Sequence, residues 1–345
     1  MRISDFDYEL PEELIAQHPL ERRDASRMLV LDRARREWQD SRFALLPSFI
    51  RAGDLLVLNN TRVFPARLVG AREGTGGRVE LFLVREIEPR VWETLARPAR
   101  RLQRGGRVRF GDGRLSAEVA ETLDDGRRVV RFTCDGSFEA ALEELGQTPL
   151  PPYIKREGES LEDDRERYQT VYARARGAIA APTAGLHFTP RVLDQIRARK
   201  ASIAEITLHV GYGTFEPVRV EDLNHHTVAP EYSEISVEAA DAINEARARG
   251  GRIIAIGTTT TRALESAVDE AGRLRAVARP AQLTITPGYR FRVVDALLTN
   301  FHLPQSSLLV LVSTFAGRDF ALAAYRHAVG ERYRFYSYGD CMLII

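Results

Sequence analysis

The stretch Gly177-Ala-Ile-Ala-Ala-Pro-Thr-Ala-Gly-Leu-His-Phe-Thr-Pro190 opens as an apolar run and breaks at Pro182, after which Thr183, Gly185 and His187 precede a new periodic segment. Proline has no amide for a strand ladder, so an apolar run that ends on one reads as a strand delivering polar groups into a loop. Thr189 and Pro190 then start a helix over residues 190–199, because the hydroxyl accepts an otherwise orphaned amide and proline has no amide to orphan. A second stretch of the same make, Ile206-Thr-Leu-His-Val-Gly-Tyr-Gly-Thr-Phe-Glu-Pro217, puts His209, Gly211, Gly213 and Thr214 at the end of a strand over residues 204–210. Strand, polar loop and helix in repetition indicate an α/β sheet.

The alternation continues downstream. A helix over residues 237–249 is stopped by Gly250-Gly251, and Arg252-Ile-Ile-Ala-Ile-Gly-Thr-Thr-Thr-Thr-Arg-Ala-Leu-Glu265 is a buried strand feeding a Gly/Thr turn at a helix start. Further strands are expected over residues 292–298, 307–313 and 341–345, with a helix over 319–332. Unpaired amides at a helix start suit a carboxylate or phosphate, which makes Gly257, Thr258, Thr259 and Arg262 candidates for holding one; threonines at such a turn also serve as plain caps. The Gly-Lys-[Ser/Thr] ending of a P-loop is missing and no Gly-x-Gly-x-x-Gly opens a helix, so nucleotide hydrolysis and nicotinamide chemistry are disfavoured. Gly-x-Ser-x-Gly is absent too, and covalent acyl transfer has no support.

Upstream, residues 10–18 read as a short helix, and Arg22, Asp24 and Arg27 lie in a charged turn leading to a strand over 28–32, facing either a ligand or one another. After a helix over 43–50, residues 53–62 form a buried strand that ends in Asn59, Asn60 and Arg62, hydrogen-bonding groups at a strand end where open sheets place ligands. From residue 63 to 150 the character changes to short alternating runs separated by Gly and Asp turns, the pattern of a small barrel. Within it Arg97, Arg100, Arg101, Arg104, Arg107 and Arg109 fall inside thirteen residues that contain no acid. Such a hairpin suits a phosphate backbone, or is a solvated loop. The whole is read as a mixed-sheet α/β main domain, residues 1–62 and 151–345, carrying an inserted small β-barrel domain at 63–150.

The net charge of +1 excludes a uniformly basic nucleic-acid coat but leaves room for that local patch. Arginine supplies nearly all the positive charge, with Lys155 and Lys200 the only lysines, a skew of coding rather than of contacts. Cys134 and Cys341 have no metal-ligand or disulfide spacing, so no metal is expected and a reducing, cytoplasmic setting fits. The acidic N-terminus lacks an apolar signal core, and no run approaches the roughly 20 apolar residues of a membrane span, so a soluble protein is expected. His187, His209 and His302 each end an apolar run beside Gly, Thr or Asn, and each is a candidate acid or base near neutral pH.

Longer words carry a resemblance. Residues 180–189 (Ala-Ala-Pro-Thr-Ala-Gly-Leu-His-Phe-Thr), 207–217, 257–265 (Gly-Thr-Thr-Thr-x-Arg-x-Leu-Glu), 294–304 (Val-Asp-Ala-Leu-Leu-Thr-Asn-Phe-His-Leu-Pro) and 335–340 (Phe-Tyr-Ser-Tyr-Gly-Asp) closely resemble the S-adenosylmethionine:tRNA ribosyltransferase-isomerase family, as do residues 23–27 and 58–63. The resemblance implies an α/β domain with an inserted barrel. It also implies transfer of the ribosyl part of S-adenosylmethionine onto 7-aminomethyl-7-deazaguanine at the tRNA wobble position, giving epoxyqueuosine, adenine and methionine. S-Adenosylmethionine is then a co-substrate, tRNA the partner and a monomer the expected state.

On that resemblance His187, His209 or Glu231 is a candidate for removing a C5′ hydrogen, and His302 or Asp340 for assisting the departure of adenine. Thr183, Gly185, Gly211, Gly213, Thr214, Gly257, Thr258, Thr259 and Arg262 are expected at the co-substrate. Asn59, Asn60 and Arg62 are expected at the base, and Arg97, Arg100, Arg101 and Arg104 on the tRNA backbone. One departure stands out: Val228-Ala-Pro-Glu231 replaces the family's usual Met-His-x-Glu, so Ala229 occupies a histidine position. Either that histidine is dispensable or His225 or His226 covers its role. The rival reading is a tRNA-binding protein without turnover that holds a nucleotide-like ligand.

Overall fold

The computed structural model describes residues 1–156, 161–211, 218 and 220–345; Gly213 and Thr214 lie outside the described residues. In chain order β1 (Arg27–Asp32), β2 (Glu37–Arg42), α1 (Leu46–Phe49) and β3 (Leu55–Asn59) come first. The chain then runs through β4 (Thr61–Val63) into β5 (Arg67–Arg72), β6 (Arg78–Glu88), β7 (Val91–Arg97), β8 (Arg107–Phe110), β9 (Leu115–Thr122), β10 (Arg128–Cys134), α2 (Phe138–Leu145) and β11 (Gly146–Gln147). It returns by α3 (Leu161–Arg167), β12 (Ala175–Ala178), α4 (Pro190–Ala198), β13 (Ser202–Leu208), β14 (Glu231–Ile235), α5 (Val237–Ala248), β15 (Ile253–Ile256) and α6 (Thr258–Ser266). The last elements are β16 (Val277–Ala281), β17 (Ala296–Asn300), α7 (Ser307–Ala316), α8 (Arg318–Gly330) and β18 (Cys341–Ile344).

Among the described residues nine strands form one mixed sheet in the order β16-β14-β13-β3-β15-β17-β18-β1-β2. The segment β13-β3-β15-β17 is parallel, and β18 runs antiparallel to β17 and parallel to β1. Side chains alternate across a strand, so a sheet covered on both sides needs continuous apolar runs. Leu55 and Val57 of β3, Ile253 and Ala255 of β15 and Met342 and Ile344 of β18 enter one core, with α5 to α8 over it. Leu56, Leu58, Ile254, Ile256, Cys341 and Leu343 enter the other, closed by α1 and α4. At the turn into β15 a Cβ on Gly251 would meet the Gly53 carbonyl oxygen at 2.0 Å, so the run to β15 passes close to the start of β3 only as glycine.

The second sheet, β11-β5-β6-β7-β10-β9-β8, is antiparallel and closes through pairing of β5 with β8. Its inward positions, among them Leu68, Leu81, Leu83, Val108, Phe110, Ala117, Val130 and Phe132, fill the interior with side chains. The fold class read from the sequence is the one observed.

Several local expectations are corrected. Residues 307–313 are helical, because Ser306 Oγ accepts the Leu309 amide as an N-cap and the apolar run extends to Ala316 before Gly317 stops it. The ladder at 177–181 is limited to β12, which ends at Ala178 beside β4, and the helix expected over 10–18 is a single 3₁₀ turn at Glu12–Leu14. Asp24 pairs with Arg22 and Arg191, and the Arg27 guanidinium lies 3.7 Å over the Tyr333 ring.

Topology decides where chemistry is possible. The carboxyl ends of β3, β13, β15 and β17 fall at one sheet edge, which brings Asn59, His209, Gly257 and Asn300 there. Because β18 and β1 run the other way, their amino ends, with Asp340 and Ser26, fall at the same edge. Ligands bind in α/β sheets at such an edge.

Candidate functional site

Three adjoining spaces lie at this edge. A cleft of about 1310 Å³ separates barrel from main sheet, with Trp92, Glu93 and Phe138 on one wall and Arg176, His209, Gly211, Glu231 and Tyr232 on the other. A cavity of about 70 Å³ is lined by Thr183, Gly257, Thr258, Thr259, Asn300 and His302, and shares Val210 with the cleft. A smaller space of about 30 Å³ reaches His187 and Ser26 and shares Ser337 with the cavity. Thr259, His302 and His209 thus border adjoining spaces on either side of Val210, while His187 lines the smaller space on the other side of Ser337.

The three histidines differ in environment. His187 is buried, hydrogen-bonded through Nδ1 to Ser26 Oγ at 2.8 Å, and its Nε2 has no hydrogen-bond partner. Burial pushes its pKa down to about 4, against a smaller opposite influence from the Asn300 side chain. His302, with Nε2 2.9 Å from Thr299 Oγ1, is pushed down to about 3 by burial alone. His209 is half-buried on the cleft wall, its Nδ1 2.8 Å from Thr61 Oγ1 and its ring stacked on Tyr232, and burial lowers its pKa as well. All three imidazoles are neutral at pH 7.

Linkage turns this into a stability prediction. The unfolded histidine has a pKa near 6.5, so between that value and the depressed native one the unfolded chain binds more protons, and stability falls as pH falls. His187 and His302 are each expected to withdraw about 2 kcal/mol between pH 7 and pH 5. Urea unfolding of wild type and His302→Gln at both pH values checks this; an equal acid loss in the variant refutes the assignment.

Other expected site residues are committed elsewhere. Asn59 donates from Nδ2 to Leu208 O at 2.9 Å and accepts the Leu208 and Thr61 amides on Oδ1, so its amide closes a gap between β3 and the end of β13. Asn60 accepts from Thr207 Oγ1 and donates to Glu205. Both amides are thus held against the sheet. Arg262, expected at a carboxylate ligand, is buried against Glu231 at 2.8 Å and donates also to Leu283 O and Ala229 O. Glu231 in turn accepts the Gly211 amide at 3.1 Å. Asp340 lines none of the three spaces: its oxygens accept the amides of Arg27 at 2.7 Å and Arg334 at 2.8 Å, clamping β18 to β1, and burial raises its pKa. Gly185 is a packing position, since a Cβ there would lie 2.2 Å from the Tyr172 hydroxyl.

Among the residues that border these spaces and that sequence reading did not single out are Trp92, Arg176, Tyr232 and Asn300. Asn300 was within reach, standing two positions before His302 in a quoted word; the others lie in ordinary strand sequence and carry no such signal. On the barrel, Arg97, Arg100, Arg101 and Arg104 are exposed, and the last three border a shallow surface hollow of about 680 Å³. Those three make no ion pair among the described residues, whereas Arg107 and Arg109 pair with Glu118 and Glu73. The loop is held from beneath by buried Arg128, which donates to Leu102 O and Ala99 O. Arg62 is exposed on β4. Among the described residues there is no group of three or more His, Cys, Asp or Glu side chains that could hold a metal ion, and no single helix long and apolar enough to cross a membrane.

A family model described as queuosine biosynthesis protein matches residues 3–344. Proteins named S-adenosylmethionine:tRNA ribosyltransferase-isomerase from Pelotomaculum thermopropionicum and Desulfitobacterium hafniense are 52% and 51% identical over 345 residues, which is 100% of this chain and 100% of each relative. The chain belongs to the S-adenosylmethionine:tRNA ribosyltransferase-isomerase family. A crystal structure of S-adenosylmethionine tRNA ribosyltransferase from Thermotoga maritima is also similar, at 36% identity and a TM-score of 0.55 over 99% of this chain and 100% of that one. The family match runs through all the strand ends that build the edge, and through Ala229, which borders the cleft beside Glu231.

Proposed function

We propose that this chain moves the ribosyl part of S-adenosylmethionine onto 7-aminomethyl-7-deazaguanine at the tRNA wobble position and isomerises it to epoxyqueuosine, with adenine and methionine leaving. The observation that carries the reading is identity above one half along the entire length to a relative named for this activity. The cleft suits it in size: at about 1310 Å³ it exceeds the ~300–1,000 Å³ of a site for one small molecule, leaving room for a nucleoside and an everted base together. The sulfonium acidifies the neighbouring C5′ hydrogens, and a neutral imidazole is a suitable acceptor for one. His209 is assigned that part, since of the three histidines it is the one on the wide cleft. His302 is placed at the leaving adenine, as a neutral hydrogen-bonding partner rather than an imidazolium acid.

The inserted segment, residues 63–150, is assigned the tRNA backbone through Arg97, Arg100, Arg101 and Arg104, and Arg62 the approach to the base. Incubation with S-adenosylmethionine and tRNA carrying the precursor base is expected to release adenine; binding of both without adenine would overturn the enzymatic reading. Replacing Arg100, Arg101 and Arg104 together by alanine is expected to weaken tRNA binding and to reduce the slope of log K against log[salt] by about 2–3, at roughly 0.7–0.9 for each phosphate no longer neutralised. Affinity for S-adenosylmethionine should stay unchanged. A salt slope equal to that of wild type returns these arginines to a solvated loop.

A further inference from the structure

The cavity beside the cleft has an unusual polar balance. Helix α6, residues Thr258–Ser266, begins in it behind Gly257, whose φ of 97° belongs to glycine and which gives no side-chain cap to the first-turn amides. The four threonines divide by role. Thr260 and Thr261 turn back, donating to Ile256 O at 2.8 Å and Gly257 O at 3.1 Å, whereas Thr258 and Thr259 line the cavity and make no side-chain hydrogen bond among the described residues. Opposite them is Asn300, 2% exposed. Its Nδ2 donates to Tyr336 O at 2.8 Å and Ser337 O at 3.3 Å, which fixes the amide and leaves Oδ1 with no close hydrogen bond, though it bears on the His187 imidazole as well as on the cavity. Tyr168, 0% exposed, also lines the cavity, its hydroxyl near Ser337 and the Ala181 backbone. Burial raises its pKa, so it stays a donor.

A buried polar atom left unpaired costs about 1–3 kcal/mol, and atoms in that state around a cavity mark a place for a polar guest. The guest is constrained by the lining: among the described residues no Arg, Lys, Asp or Glu borders this cavity. A phosphate dianion in such a place lacks a counter-charge. A zwitterion with no net charge does not need one: its carboxylate matches the helix N-terminus with the donors around it, and its ammonium matches the Asn300 carbonyl. At about 70 Å³ the space takes a head group and not a nucleoside, which has to lie in the cleft reached past Val210.

We propose that this cavity holds the zwitterionic α-amino-acid head of the methionyl group, with the carboxylate on the first-turn amides of α6 and the Thr258 and Thr259 hydroxyls and the ammonium on Asn300 Oδ1. The proposal rests on S-adenosylmethionine being the co-substrate and reassigns the carboxylate from Arg262, whose fork is taken by Glu231.

Calorimetric titration of the full chain, without tRNA, with S-adenosylmethionine and with its decarboxylated analogue tests it. Wild type is expected to prefer S-adenosylmethionine by at least about tenfold, the scale of one or two charge-assisted hydrogen bonds. Thr259→Val should weaken S-adenosylmethionine selectively and close most of that gap, and Thr259→Ser should restore it. The comparison is made within each variant, so a general loss of folding, which weakens both ligands alike, is recognisable and Thr259→Ser then decides. Equal affinity of wild type for both ligands, or a gap that Thr259→Val leaves intact, places the carboxylate elsewhere and overturns the proposal while leaving the ribosyl-transfer reading standing. Absence of any S-adenosylmethionine binding overturns both.

Discussion

Arg262→Ala is expected to lower the unfolding free energy by about 3–5 kcal/mol, the cost of leaving one partner of a buried ion pair without the other. Both side chains of the Arg262–Glu231 pair are almost fully buried, at 4% and 3% exposure. The guanidinium also donates to Leu283 O and Ala229 O, so one residue ties α6 to the segment before β14 and to the segment after β16. Loss of the cation removes the buried counter-charge of the Glu231 carboxylate in a low-dielectric place, where the Gly211 amide is one of its remaining partners. Urea unfolding followed by circular dichroism gives the number. A double variant, Arg262→Met with Glu231→Leu, is expected to be the more stable of the two, because removing both charges removes the desolvation cost as well. A loss below about 1 kcal/mol for Arg262→Ala, typical of a surface pair, would refute the buried reading. Because the same carboxylate borders the cleft, the single variant should lose activity in parallel with folding, and comparison at a temperature where both variants are folded separates the two effects.

The main sheet was legible where burial on both faces forces unbroken apolar runs, as in Leu55–Asn59 and Ile253–Ile256. The same property misled at Leu308 to Val312, since a short run with no polar residue has no period to tell helix from strand. There the deciding signals were Ser306 before the run and Gly317 after it. Strands β14 and β16 escaped for the opposite reason: Glu-Tyr-Ser-Glu-Ile is mostly polar, and Pro280 marks an edge strand that gives little to the ladder. At the site, the histidines, the Gly257 turn and the basic hairpin were visible as residue types out of place. Asn59, Arg262 and Asp340 were equally visible, and each turned out to be spent on the protein's own backbone or on a partner carboxylate. A sequence shows that an amide or a guanidinium stands at a strand end; only packing shows whether its hydrogen-bonding capacity has already been used.

That distinction bears most heavily on His209. With the Thr61 hydroxyl proton assigned to Ala175 O at 3.3 Å, the hydroxyl accepts from a protonated Nδ1 at 2.8 Å. The lone pair is then on Nε2. A Cβ on Gly177 would come within 2.5 Å of that atom, so glycine at 177 is what keeps it open toward the cleft that both residues line. His187 and His302 are also neutral, but with values pushed down to about 4 and about 3 they are poor proton acceptors near pH 7. His209→Ala is therefore expected to reduce kcat by ~10²–10⁴ while dissociation constants for S-adenosylmethionine and tRNA change little. The wild-type rate should hold at neutral pH and fall as pH drops through the His209 pKa, which burial sets below 6.5, and the variant should lack that acid limb. Gly177→Ala, whose methyl group would press on Nε2, Cε1 and Cδ2 of the ring and so displace or cover it, is expected to reproduce a large part of the loss. If the pH profile of His209→Ala keeps its acid limb, or if its lost rate is matched by lost tRNA affinity, the imidazole supports Tyr232 by stacking and takes no proton.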